Sequence, residues 1–162
     1  MHSSRRTRKS PRVSGRRKGQ KILLIHGHDE KNVLRLQKFI LEHWKDCTLI
    51  TLSDLPAQGR TIIEKFEWEA KDAVFALALM TPDDIVRNGN SRYRQARPNL
   101  HFELGWVYGR LGRSRVCILF KRGTKLPSDL EGINRFDFTK NVRDVFEQLQ
   151  TELESAGMLK SA

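Results

Sequence analysis

From Lys21 onward, short apolar runs alternate with stretches whose apolar residues recur every three or four positions, and this alternation restricts the fold more than any other feature. Runs of four to eight apolar residues suit strands, whereas three-and-four spacing lines one stripe of a helix; interleaving the two marks βα units around a parallel sheet. KILLIH, residues 21–26, reads as a buried strand. The turn GHDE then sets Asp29 to N-cap a helix from Glu30 to about Trp44, with Val33, Leu36, Phe39, Ile40 and Trp44 on one stripe. CTLITL, 47–52, is the second strand and SDLPAQGR a loop of turn formers. Thr61 caps a helix through Ala70, and Glu64, three residues on, completes a capping box. AVFALALM, 73–80, is apolar throughout and belongs at the centre of the sheet.

TPDDIVRNGNSRYRQAR, 81–97, reads as a long polar loop, a length that in a compact domain points to function or mobility. Pro98 suits the first turn of a helix to about Leu111. SRVCILF (114–120) and INRFDF (133–138) are the fourth and fifth strands, and Asn141 or Thr139 caps a last helix striped by Val142, Val145, Phe146, Leu149 and Leu153. The expectation is an α/β, doubly wound, flavodoxin-like fold: a five-stranded parallel sheet with helices on both faces, spanning 21–160. Ligands of such sheets bind beyond the carboxyl ends of the strands.

The formal charge of +11 is unevenly placed. Residues 1–20 carry eight Lys or Arg and no acid, which leaves 22 basic against 19 acidic residues, a balance of +3, in the remainder. With one aliphatic residue after Met1, this arm has no apolar face to offset the entropy of ordering, and it reads as a disordered basic tail. Its functional reading is a sequence-independent contact with nucleic-acid phosphates or an anionic surface; the ordinary one is a solvated tail. No run of 18 apolar residues and no secretory leader occurs, so a cytoplasmic chain without membrane contact is expected. Cys47 and Cys117 sit in apolar runs far from other ligands, as buried free thiols do, and no metal site is indicated.

The phosphate-loop, dinucleotide, zincin and serine-elbow motifs are all missing. Polar residues cluster instead after the strands: His26, Gly27, His28 and Asp29; Gln58, Gly59, Arg60 and Thr61; Thr81, Asp83 and Asp84; Asn99 and Glu103. Glu103 stands out because Leu100, Leu104, Val107 and Leu111 form a narrow apolar stripe with this carboxylate on its shoulder, beside Asn99, Trp106 and Arg110. Burial there would raise its pKa and a nearby Arg would lower it; a surface glutamate paired with Arg110 or a loop arginine is the plain alternative. Asp29 reads first as an N-cap, whose helix start can also receive a ligand phosphate or hydroxyl. Trp106 either stacks on a ligand ring or packs its helix. Arg60 and the cluster Arg92, Arg94 and Arg97 either approach a pyrophosphate or are solvated loop charges.

The segments LPAQGRTIIEKFE, LMTPDD, RPNLHFELGWVYGRLGRSRVCILFK and LPSDLEGI, in this order, closely resemble the predicted nucleotide-binding family with a TIR-like domain, a prokaryotic group also found fused to STING sensors in cyclic-oligonucleotide defence. The resemblance covers roughly 21–157. It implies a TIR fold and, as in many members, NAD+ glycohydrolase activity switched on by homo-oligomerisation through TIR–TIR contacts, with NAD+ as substrate and no cofactor. The family's catalytic glutamate, in its N-[VL]-x-F-E-L-G motif, falls on Glu103. Its gating loop falls on Pro56 to Thr61, and its first-strand turn on Gly27, His28 and Asp29. Here Leu100 and His101 precede Phe102 where two aliphatics are more usual, and Trp106 replaces Tyr or Phe. A separate sensor or activator protein is expected if activity is regulated. The alternative is a non-catalytic TIR-like module that binds nucleotide or assembles.

Overall fold

The computed structural model describes residues 19–51, 59 and 61–158. Residues 1–18 of the basic arm, the end of the second strand at Leu52, the loop 53–58, Arg60 and 159–162 lie outside the described residues. In chain order the elements are β1 (Gln20–His26), α1 (Glu30–His43), β2 (Cys47–Thr51), α2 (Ile62–Ala70), β3 (Ala73–Met80), β4 (Asp84–Asn88), β5 (Ser91–Gln95), α3 (Pro98–Leu111), β6 (Val116–Lys121), β7 (Arg135–Phe138) and α4 (Phe146–Ser155). The expected α/β architecture is present: β2-β1-β3-β6-β7 form one sheet, every pairing in it parallel.

The central strands are buried on both faces, and successive side chains divide between two cores. Ile22 and Leu24 of β1, with Phe75, Leu77 and Leu79 of β3, pack under α1 and α4 through Leu36, Ile40, Leu149 and Leu153. Leu23 and Ile25, with Ala76, Ala78 and Met80, pack under α2 and α3 through Phe66, Leu100, Leu104 and Val107. Small residues on this second face of β3 let α3 approach the sheet closely. Cys47 and Cys117 are both buried and free.

Helix starts follow the local chemistry. Asp29 accepts from the backbone N–H of Asn32, and Thr61 and Glu64 form the reciprocal capping box. Asn141 caps a short 3₁₀ turn, Val142–Val145, that leads into α4.

One expectation is corrected. Residues 81–97 are not a loop throughout: β4 and β5 pair antiparallel from Asp84↔Gln95 to Asn88↔Ser91, joined by Gly89 and Asn90. Gly89 has φ +56°, the left-handed conformation that a two-residue hairpin turn requires and glycine adopts without strain. The fourth sheet strand also starts later than expected, because Arg113–Arg115 form a 3₁₀ turn ahead of Val116.

A buried polar hub ties α1 to the segment that follows β7 on the same face of the sheet. Asn32, 1% exposed, donates through Nδ2 to Asp29 Oδ2 and to the Lys140 carbonyl, while its Oδ1 accepts from the Val142 N–H at 3.0 Å. Lys121, the last residue of β6, donates to Asp29 Oδ2 at 2.5 Å. Replacing Asn32 by Ala would strand these partners out of water, so Asn32→Ala should lower stability by about 2–4 kcal/mol in urea unfolding. A loss below about 1 kcal/mol would show that the hub is dispensable.

Candidate functional site

β1 and β3 reach the carboxyl edge together, with His26 beside Leu79, and the chain leaves them for opposite faces, into α1 on one side and α3 on the other. This is where the connections of a doubly wound sheet diverge and leave a crevice. A cavity of about 470 Å³ lies there. Leu24, Ile25, Val33 and Leu34 supply apolar wall, and His26, His28, Glu30, Gln37, Thr51, Arg97 and Glu103 supply polar groups.

Glu103 is the chemically distinctive member. It sits on α3 beside the buried stripe Leu100, Leu104 and Val107, and is itself half-buried. Burial pushes its carboxyl up from an ordinary 4.5 to about 7, against the opposing pull of the Arg97 guanidinium. Arg97 occupies the N-cap position of α3, immediately before Pro98, where no side chain caps the helix. Its guanidinium lies 3.0 Å from His28 Nε2; having only donors, it makes that nitrogen the acceptor.

The β1 turn is shaped by a missing side chain. A Cβ on Gly27 would fall 1.8 Å from Asp83 Oδ2, so glycine here serves the close approach of the carboxylate rather than backbone conformation. Asp83 is oriented by the Thr81 hydroxyl, 2.9 and 3.0 Å from its two oxygens, and accepts a long 3.4 Å bond from the His28 N–H.

The residues expected at a site separate into groups. Gly27, His28 and Glu103 share the cavity lining. Asp83 lies just beneath the turn and acts on it from below. Asp29 is committed elsewhere: burial alone would raise its pKa, but Lys121 and Asn32 outweigh burial and hold the carboxyl below its usual range. Thr61 caps α2, and Gly59 is exposed at φ +76°. Asn99 is exposed and off the lining. Trp106 meets Phe66 edge to face at 5.0 Å between ring centroids, in the α2–α3 layer, which is the helix-packing alternative. Arg60 lies outside the described residues. Of the arginine cluster, Arg97 lines the cavity and Arg92 and Arg94 do not. Sequence reasoning passed over Glu30, Gln37 and Thr51; Glu30 and Gln37 follow from α1 running along the crevice, whereas Thr51 needed the strand order.

The family described as CAP12/Pycsar effector protein, TIR domain, matches residues 21–140. Among curated proteins, the chain is 43% identical over 117 residues to YuaY of Escherichia coli (strain K12), a match covering 70% of the chain and 38% of that protein. It is 31% identical over 137 residues to Protein tirC of Dictyostelium discoideum, covering 77% of the chain and 67% of that protein. It is 27% identical over 128 residues to Pycsar effector protein BcPycTIR of Burkholderia cepacia, covering 78% of the chain and 42% of that protein. The match thus spans well under half of two of these three relatives.

A carboxyl at about 7 in the folded chain and 4.5 when unfolded binds more protons folded than unfolded between those values. Its contribution to stability is therefore complete below the lower value and is lost as pH rises through the upper one. Glu103→Gln, neutral at every pH, should accordingly melt higher than the parent at about pH 8, by on the order of 2–3 kcal/mol relative to the difference at about pH 4. Parallel thermal melts at the two pH values check this, and a pH-independent difference would contradict a proton-linked Glu103.

Proposed function

The chain belongs to the CAP12/Pycsar effector TIR-domain family, and from that premise we propose that it cleaves the bond between nicotinamide and ribose in NAD+, with Glu103 as the catalytic carboxylate. The observation that carries the reading is a half-buried glutamate lining the cavity at the divergence of β1 and β3, with Arg97 as the cation beside it.

The chemistry suits a single carboxylate. As the C1′–N bond breaks, positive charge builds on the ribose and nicotinamide departs neutral, so the leaving group needs no proton from an acid. The second carboxylate of ordinary glycoside hydrolysis is therefore dispensable. A half-buried anion in a cavity that Leu24, Ile25 and Val33 also line acts through less water than a surface one, which strengthens its hold on an oxocarbenium-like transition state. Gly27 and His28 border the same space, with Arg97 as the cation for the pyrophosphate. Water, or an adenine nitrogen of the substrate, completes the displacement.

In this reading copies of the chain assemble to become active, in the cytoplasm and in answer to a separate activator. Apolar side chains that a lone domain leaves in solvent support assembly: Leu34 and Leu41 on α1 are 64% and 67% exposed, and Ile62 on α2 is 76% exposed. Leu34 also lines the cavity, so a neighbour covering α1 would alter the site itself.

Nicotinamide release from NAD+ should rise faster than linearly with protein concentration and fall by at least about 100-fold in Glu103→Gln, the scale of losing one stabilising group in the transition state. Because the anion is the working form, the rate should climb with pH through about 7 and then level. Removing the charge in Arg97→Gln should shift that rise to higher pH, since Arg97 holds the carboxyl down. Glu103-independent release, or none across the concentration series with a crowding agent, would favour a binding and assembly module.

A further inference from the structure

The β4–β5 hairpin carries a second surface, apart from the crevice. Directly opposed residues of an antiparallel pair point to the same face, and alternate residues to opposite faces. The pairings Ile85↔Arg94 and Arg87↔Arg92 therefore collect Arg87, Arg92 and Arg94 with Ile85 on one face, while Val86 and Tyr93 go to the other. Burial agrees: all four residues of the first face are exposed, and Val86 and Tyr93 are half-buried. The inner face is seated on the body through Lys125, whose ammonium lies 4.2 Å from the Tyr93 ring centroid and whose N–H donates to the Arg94 carbonyl at 2.7 Å.

No acidic residue shares the outer face in this register. Arg94 donates to the Pro82 carbonyl at 3.3 Å, and none of the three arginines is in an ion pair among the described residues. Arg87 and Arg92 stand directly opposite each other, an arrangement that costs stability unless an anion lies between them. We propose that this face binds the phosphate backbone of duplex DNA.

Three planar guanidiniums suit phosphate oxygens better than they suit any group of the chain around them. Arg92 and Arg94, two residues apart, sit about 7 Å from one another along the strand, and Arg87 adds a second row. A two-stranded ribbon also has the width that the major groove of B-form DNA admits. The exposed tip, Asn88 to Ser91, is polar, as groove contact requires. A lipid surface fits less well, because Ile85, 45% exposed, is the one large apolar side chain on the face.

The test compares the full chain with the Arg87→Ser, Arg92→Ser, Arg94→Ser triple variant, so that residues 1–20 contribute equally to both. Binding to a fluorescent duplex of arbitrary sequence is followed by anisotropy across a salt series. Losing three phosphate contacts should reduce the slope of log affinity against log salt by about 2–3 and weaken binding at least about tenfold near 0.1 M salt. The Lys-for-Arg triple variant should retain most of the slope. Should the serine triple variant fail to fold by circular dichroism, Arg92→Ser and Arg94→Ser singly should each reduce the slope by about 0.9. An unchanged slope in a folded variant overturns the proposal. So does arginine-dependent binding to phosphatidylserine vesicles without matching loss on DNA, which would make the partner a membrane.

Discussion

Burial of β1 and β3 on both faces governs where anything polar can happen in this domain. Ile22 to Ile25 and Phe75 to Met80 are at most 1% exposed, so neither face of the central sheet can hold a water-filled site. Polar chemistry is driven to the strand ends, and at the carboxyl edge the chain must also turn toward two different helix layers. The cavity arises from that divergence, with its floor made by the last residues of β1 and its walls by α1 and α3. Gly27 is part of the same constraint, since the turn after β1 runs so close to Asp83 that a methyl group there would have to displace the carboxylate.

Two carboxylates near this edge meet opposite fates, and the difference lies in their donors. Asp29 loses solvent but gains the Asn32 N–H, the Asn32 amide and the Lys121 ammonium, which together make the anion the favoured form. Glu103 loses solvent and has Arg97 as its compensating charge, while Arg97 is itself engaged with His28. The first arrangement is a structural tie between α1, β6 and the start of the last helical segment. The second keeps a carboxyl close to neutrality facing open space, a state that packing alone would not require and that a reaction needing an anion at physiological pH can use. Arg97 thus stands between the two, in hydrogen-bond contact with His28 Nε2 and lowering the pKa of Glu103.

Much of this was legible in the residues because the signals are local. The period of Val33, Leu36, Phe39 and Ile40, the Thr61–Glu64 box and Pro98 at a helix start each involve positions within a turn or two, and each appears in the structure where spacing put it. Glu103 was legible for the same reason, as a charge on the shoulder of a helical stripe. The hairpin escapes a reading by composition although Asn88-Gly89 between Ile85, Val86 and Tyr93 is a turn signal: Arg87, Arg92 and Arg94 mask the alternation, and of its apolar side chains only Val86 and Tyr93 are half-buried. A strand pair lying on a surface by one face needs few apolar residues, so composition alone reads it as loop.

What could not be read was every partnership across the sheet. Lys121 and Asp29 are 92 positions apart, Val142 and Asn32 are 110, and Arg97 and His28 are 69. Strand order 2-1-3-6-7 brings these pairs together, and nothing in the local spacing of either member encodes that order. Asn32 illustrates the cost of this blindness: in sequence it is an unremarkable polar residue in the first turn of an amphipathic helix, yet its Oδ1 is the acceptor for a backbone N–H from the opposite end of the chain. The site therefore rests on two kinds of determinant. Local ones choose which side chains stand on the right face and, through Arg97 at the start of the same helix, temper the charge of Glu103; long-range ones decide the charge of Asp29, as Lys121 does. A change in the packing around the start of α3 that turned the Arg97 guanidinium away would alter the protonation of Glu103 with no change at Glu103 itself.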